Sequence, residues 1–214
     1  MAIYHMGILG TFKNKVGTVV GRHWKNWKWT IAAYTRFVKN PRTEQQLLNR
    51  AKFAALGSMS QAFLPAIMIG FNKLARRLTL TEGNVFVKRN YGAVEATTPD
   101  SVTIDYSAIK VSDGRLPEVL FGSPNFDTPL TVEATFTPNS DDPQASVEDT
   151  VHLFVYNPED GRGVMSEGAA RSTASASVTV PGSWNGVKVH VWGFVVNKKG
   201  LCSRSTYVGS GNIS

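Results

Sequence analysis

The sequence has few of the side chains from which catalytic and metal sites are usually built. One cysteine, Cys202, and four histidines, His5, His23, His152 and His190, occur among the 214 residues. A single cysteine excludes a disulfide within the chain, and no histidine has a partner at the spacing of zinc ligands. No serine-hydrolase, metalloprotease, phosphate-loop or dinucleotide-binding motif is present. We therefore expect a protein that is not an enzyme, with no catalytic residue, no metal site and no cofactor.

A long apolar segment is also lacking. The longest apolar run, from Phe63 to Phe71, is too short to span a bilayer. The first residues contain no continuous hydrophobic region of the kind that a signal peptide requires. Together with the single cysteine, these absences predict synthesis in a reducing cytoplasm and no membrane partner.

Acidic residues are scarce in the first part of the chain. The net charge is +7, but residues 1–92 hold fifteen Lys and Arg against two acids, Glu44 and Glu82. Residues 93–214 hold eight bases against fourteen acids. Such an asymmetry favours an acidic or polyanionic partner for the basic half. The alternative is that the two halves attract each other, within one chain or between copies.

Four zones of different pattern predict an α+β protein. Residues 1–40 are basic and rich in Gly and Trp, and we expect an extended arm with one short hairpin. Residues 41–78 have helical periodicity and predict an αα-hairpin, and residues 79–99 are interpreted as a linker. Residues 100–214 contain short alternating segments between turn clusters. They predict an all-β sandwich of the immunoglobulin or fibronectin type III kind, with a jelly roll as the alternative.

Local signals refine the helical zone. Thr43 and Gln46 have the spacing of a capping box, which predicts a helix start at Thr43. Gly57 and Ser58 predict a break between two helices. Pro65 predicts either the first turn of the second helix or a kink in it.

The basic arm carries the candidate partner-binding site. The stretch from Gly7 to Trp29 contains no acidic residue, and its cations are interleaved with aromatic side chains. Cations among aromatics suit single-stranded nucleic acid, and Trp, Tyr and Arg equally dominate protein interfaces. We favour a protein partner, with nucleic acid or packing beneath the helices as the alternatives. The residues expected to bind are Lys13, Lys15, Arg22, Trp24, Lys25, Trp27, Lys28, Trp29 and Arg36.

Other side chains of interest lie in the predicted sandwich. His190 alternates with valines and is expected at a strand surface or rim. Asp160 belongs to an acidic turn, which we interpret as a turn rather than a calcium site. Trp184 is expected to cover one end of the sandwich. A ligand-binding sandwich for glycans or cell surfaces is the alternative if Trp184 and Tyr156 line one loop end.

Several motifs occur in a characteristic order: "GILGTFKNKVGTVVGRHWK", "KNPRTEQQLLNRAKF", "IGFN" and "SVTIDYSAIKVSDGRLP". In this respect the chain resembles an uncharacterised family of Bacteroidota and phage proteins, a domain of unknown function. The resemblance covers about the first 115 residues with specific motifs, and the rest only in type. Trp27 and Trp29 depart from that pattern, which is less aromatic there. The segment from Asn40 to Arg50 is also similar to short segments of small phage structural proteins. The resemblance implies no catalytic mechanism.

These features together predict an assembly component. The basic arm and helices would anchor the chain, and the sandwich would project or decorate. We expect a structural protein of a phage head or tail, made in the host cytoplasm and located in the virion. Its expected partners are other virion proteins and further copies of itself as a homo-oligomer, with a nucleic-acid-binding module as the alternative.

Overall fold

The computed structural model describes residues 2–4, 10, 12–24, 28–139 and 142–214, with the backbone alone at residues 2–4, 24 and 28. The chain forms two compact units, Met1–Thr43 and Glu44–Ser214. The boundary between the units therefore precedes the first helix. The change of charge and period near residues 79–99, which predicted a boundary between helices and sandwich, does not separate two units.

The first unit is an antiparallel sheet of four short strands. The strands are β1 (Ala2–Tyr4), β2 (Asn14–Val16), β3 (Val19–Trp24) and β4 (Lys28–Ala33), in the spatial order β1-β4-β3-β2. The chain reverses between β2 and β3 at Gly17, whose φ of 60° lies in the left-handed region that glycine adopts without strain. The expected extended arm with one hairpin is therefore corrected, because β-branched residues extend the pairing into a sheet.

The second unit begins with four helices, α1 (Glu44–Ala62), α2 (Leu64–Gly70), α3 (Asn72–Leu78) and α4 (Glu82–Asn90). Helix α1 starts directly after Thr43, where the capping box predicted it. Gln46 Oε1 is buried and has no hydrogen-bond partner among the described residues, so its half of the capping box is not formed. Pro65 lies in the first turn of α2, where the missing N–H costs nothing.

The expected break at Gly57 and Ser58 is corrected, because α1 runs through both residues. Leu56 and Met59 lie three residues apart on one buried face that continues across the glycine. The Ser58 hydroxyl donates to the Ala55 carbonyl at 2.9 Å, within the helix. The chain bends instead between α1 and α2, by 87°. The expected hairpin over residues 41–78 is therefore three helices.

The expected linker over residues 79–99 is also corrected, because it contains α4. Thr81 Oγ1 accepts a hydrogen bond from the Asn84 amide at 3.2 Å and caps the helix. Val85 and Phe86 are fully buried against the preceding helices. Burial of these two side chains makes the segment part of the core.

The remaining strands form a ribbon and a sandwich. The ribbon pairs β5 (Val94–Thr98) with β6 (Ser101–Ile104). Eight strands follow: β7 (Leu120–Asn125), β8 (Thr131–Thr137), β9 (Thr150–Asn157), β10 (Arg162–Met165), β11 (Ala169–Ala170), β12 (Ser175–Thr179), β13 (Lys188–Val196) and β14 (Thr206–Asn212). One sheet has the order β12-β8-β7 and the other β10-β9-β13-β14, with β11 beside β9. This antiparallel arrangement confirms the predicted α+β class and the immunoglobulin-like sandwich.

Strands β9 and β13 form the middle layer of the second unit. On one side their valines and Leu153 meet the β12-β8-β7 sheet. On the other side Phe154, Tyr156, Trp192 and Phe194 meet the helices. The helices and the sandwich therefore share a core, because neither could bury the aromatic face of this layer alone.

Candidate partner-binding surface

Strand pairing gives the N-terminal sheet a cationic face. Lys15 lies opposite Val20 in β3, and Arg22 follows two positions later, so both cations project from the same side. The Lys15 Nζ atom lies 3.8 Å from the centroid of the Tyr34 ring, as a cation–π contact. Residues 1–43 contain eight Lys and Arg and no acid, so this unit cannot neutralise its own charge.

The opposite face of the sheet is apolar and aromatic. Its centre is Gly21, where any Cβ would overlap the ring of Phe12. The rings of His23 and Trp29, which are paired in the strand register, lie 4.6 Å apart. Val16, Val19 and Ile31 complete this face. The sheet is therefore amphipathic across its thickness.

Large apolar side chains of this unit are strongly exposed. Phe37 is 89% exposed, Val38 78% and Val16 59%. Only Gly21 and Thr30 are buried among the described residues of Met1–Thr43. Exposed aromatic and aliphatic groups beside an excess of cations are typical of protein-binding surfaces.

The five predicted binding residues whose side chains the structure describes do not lie on one face. Lys15 and Arg22 share the cationic face, whereas Trp29 lies on the apolar face. Arg36 is exposed beyond the end of β4. Lys13 and Arg22 line a shallow concavity of about 410 Å³.

Four of the predicted residues are placed only partly or not at all. Trp24 pairs with Lys28 in the β3–β4 register. Lys25 and Trp27 lie outside the described residues. Sequence reasoning treated the segment as one aromatic and cationic arm and missed its two faces. The period-two alternation within β3, which puts Val20 and Arg22 on one side and Gly21 and His23 on the other, was the available signal.

The side chains proposed for a ligand-binding end of the sandwich are buried. Trp184 is 1% exposed and donates its indole N–H to Asp160 Oδ2 at 3.3 Å. Tyr156 is 7% exposed and faces the helices. These two side chains therefore do not line an open loop end. Trp184 instead belongs to the core between the two sheets of the sandwich.

His190 lies in a more enclosed setting than a strand rim. Its ring stacks on Tyr106 with centroids 4.0 Å apart, and its Nδ1 lies 2.8 Å from the Tyr207 hydroxyl. Burial, and secondarily the charge of Lys188, lower the pKa of His190. Burial also lowers the pKa of His152, and the Ser166 carbonyl partly opposes this shift. Both histidines are thus favoured in the neutral form.

The acidic turn after β9 is stabilised by hydrogen bonds to the side chain of Asn157. Asn157 Oδ1 accepts from the amides of Glu159 and Asp160, and Gly161 has a φ of 65°. Within the described part of the chain, no group of three His, Cys, Asp or Glu side chains could hold a metal ion. Among the same residues, no single helix is long and apolar enough to cross a membrane. Helices α1 and α2 would together have the necessary length and composition, but they are bent by 87°.

The segment of residues 105–116, which we term the strap, contains the "DYSAIKVSDGRL" motif. Asp105 caps a short 3₁₀ turn at its start. Ile109 and Val111 then enter the core shared with the helices. The Ser112 hydroxyl donates to the Ser203 carbonyl at 2.9 Å. The motif therefore ties the helical layer to the sandwich.

The fold and the surface define a protein with a small basic β-sheet unit and a larger unit in which helices cover an immunoglobulin-like sandwich. The chain belongs to the family described as "Family of unknown function (DUF6266)", which matches residues 10–209. No curated protein matches the sequence. A solved structure similar to part of it is the solution structure of the fn3 domain of human collagen alpha-1(XX) chain. That domain is 18% identical, covers 48% of this chain and 89% of its own, and has a TM-score of 0.32.

Proposed function

We propose that the protein is a non-enzymatic assembly component that attaches to a protein partner through its N-terminal sheet. The observation that carries this proposal is the first unit, Met1–Thr43, which consists of the sheet and the segment that follows it. This unit holds eight basic residues and no acid, and Phe37 and Val38 in the segment after the sheet are strongly exposed. A surface of this kind is stabilised when a partner covers its apolar groups and supplies carboxylates.

The assembly that we propose is a phage virion, with the sandwich unit projecting from a head or tail. Further copies of the chain are also proposed partners, since the sandwich half carries an excess of acids. Extended strands at the edge of a small sheet are suited to pairing with another chain, which supports attachment through this unit.

Incorporation into particles tests this proposal. We expect the double variant Lys15→Gln/Arg22→Gln, and separately Phe37→Ser, to reduce the copies per purified phage particle, measured by quantitative mass spectrometry. The matched control is Arg162→Gln/Lys199→Gln, which removes two exposed cations from the other unit and should incorporate normally. Normal incorporation of all variants, or the absence of the wild-type chain from particles, would overturn the proposal.

Nucleic-acid binding is a second candidate, because Lys15 and Arg22 lie on one continuous face. Affinity for a single-stranded oligonucleotide should then fall with salt, with a log–log slope of roughly −0.7 for each phosphate contacted. Fluorescence anisotropy of the full chain measures this slope. Sub-micromolar binding at physiological salt that is lost in Lys15→Gln/Arg22→Gln would favour this candidate over the protein partner.

A further inference from the structure

A basic cleft lies in the second unit, where α3, the end of the strap and residues 197–204 meet. Its volume is about 630 Å³, within the range of sites that hold small molecules. The charged side chains that line it are five cations and one carboxylate: Lys73, Arg77, Arg89, Arg115, Arg204 and Asp113. The concentration of positive charge in a concave surface indicates an anionic ligand.

Most of this positive charge is not neutralised. Arg89 Nη2 lies 2.7 Å from Asp113 Oδ2, so the single carboxylate of the cleft forms its ion pair with Arg89. In the part of the chain that the structure describes, no carboxylate forms an ion pair with any of the other four cations. Like charges around one concavity repel each other, and a bound anion would relieve that repulsion.

The walls of the cleft are fixed by contacts beneath the charged groups. The Leu116 amide donates to the Cys202 carbonyl at 3.1 Å, and the Cys202 thiol donates to the Ile69 carbonyl at 3.3 Å. Gly114 packs so closely that any Cβ there would overlap the Cys202 carbonyl. Three segments are thereby joined: the end of α2, the strap and the loop before β14. A ligand would enter a preformed site and would lose little free energy to ordering it.

The cleft is suited to binding rather than to thiol chemistry. Burial raises the pKa of Cys202 to about 11, with a smaller opposing effect of Lys73. The thiol is therefore protonated at neutral pH and is a poor nucleophile. Arginine predominates among the unpaired cations, and its planar donor fork matches the oxygens of phosphate groups.

We propose that this cleft binds a small anion carrying two or more phosphate groups. Several linked phosphates bring three or more negative charges into the available volume, as the four unpaired cations require. A cleft of this volume favours such a molecule over a nucleic-acid strand, which needs a groove that continues along its backbone.

Isothermal titration of the full chain with inorganic tripolyphosphate, at about 150 mM salt where surface charges are screened, tests the proposal. We expect saturable 1:1 binding. Arg77→Gln and, separately, Arg204→Gln should weaken the affinity by about tenfold or more, since each loses charge-assisted hydrogen bonds. Both residues are exposed, and two variants guard against a folding defect in one.

Arg76→Gln is the matched control, because Arg76 neighbours Arg77 in α3 and is exposed but does not line the cleft. It should retain the wild-type affinity, and so should Lys15→Gln/Arg22→Gln in the other unit. Absence of saturable binding, or an equal loss in Arg76→Gln, would overturn the proposal. Citrate binding as tightly as tripolyphosphate would refute the preference for phosphate. Tighter binding of a single-stranded oligonucleotide, weakened by Arg77→Gln, would replace the small anion with nucleic acid.

Discussion

Arg171 and Asp149 form a buried ion pair in the sandwich, with Nη2 3.4 Å from Oδ2 and side chains 0% and 4% exposed. Arg171 also donates to the carbonyls of Pro138 and Pro117 at 3.0 and 2.8 Å. One guanidinium therefore holds together the segments before β7, after β8 and before β9. Burial lowers the pKa of Arg171, opposed by the charges of Asp149 and Asp142.

Removing this arginine should be strongly destabilising. We expect Arg171→Met to lower the free energy of unfolding by about 3–5 kcal/mol, because it leaves Asp149 buried and unpaired. Urea denaturation followed by circular dichroism measures the loss. The control is Arg162→Met, whose pair with Asp160 is solvent-exposed and should contribute less than about 1 kcal/mol. Equal effects of the two substitutions would contradict the assignment.

The glycine that lies against Cys202 should not tolerate a side chain. Gly114→Ala forces its Cβ into the Cys202 carbonyl, and we expect a loss of about 3 kcal/mol or more from overpacking. Gly57→Ala is the comparison, because it lies in the interior of α1 with no atom near its Cβ position. It should stabilise the protein by about 0.5–1 kcal/mol. Thermal unfolding of both variants measures the contrast, and a stable Gly114→Ala would show that the strap is not held so closely.

The free energy of unfolding should decrease as the pH falls below about 6.5, the ordinary pKa of a histidine side chain. The pKa values of His152 and His190 are lowered in the folded protein, mainly by burial. The unfolded chain therefore binds protons first, and stability present above a pH of about 6.5 is lost on acidification. Urea midpoints between roughly pH 5.5 and 7.5 should show this slope. His152→Gln/His190→Gln should flatten it, and an unchanged slope would assign the pH dependence to other groups.

The thiol of Cys202 should be inert in the folded protein. It is 5% exposed and its pKa is raised to about 11, so little thiolate is present at pH 8. We expect Ellman's reagent to label it at the rate of unfolding, and immediately in denaturant. The raised pKa also means that its stabilising contribution is lost as the pH rises from 9 towards 11. Rapid stoichiometric labelling without denaturant would contradict the buried position.

Several features were predictable because they are local. The lone cysteine, the basic N-terminus and the change from helical to strand period are properties of the sequence itself. The start of α1 after Thr43 followed from the capping signal, and the turn after Asn157 followed from its Asn, Asp and Gly residues. Thr81 and the following Glu82 gave a similar start signal for α4, which a reading of residues 79–99 as linker overlooked.

The sequence by itself determined the class of fold, the charge asymmetry and the identity of the short turns, because each depends on composition or on neighbours along the chain. Only the tertiary structure decided which residues meet. Packing on both faces of β9 and β13 joined the helices to the sandwich and buried Tyr156. Strand pairing separated Lys15 from Trp29 on opposite faces of one sheet. The basic cleft likewise draws Arg77, Arg115 and Arg204 from three distant segments, and no local pattern encodes a meeting that depends on long-range burial.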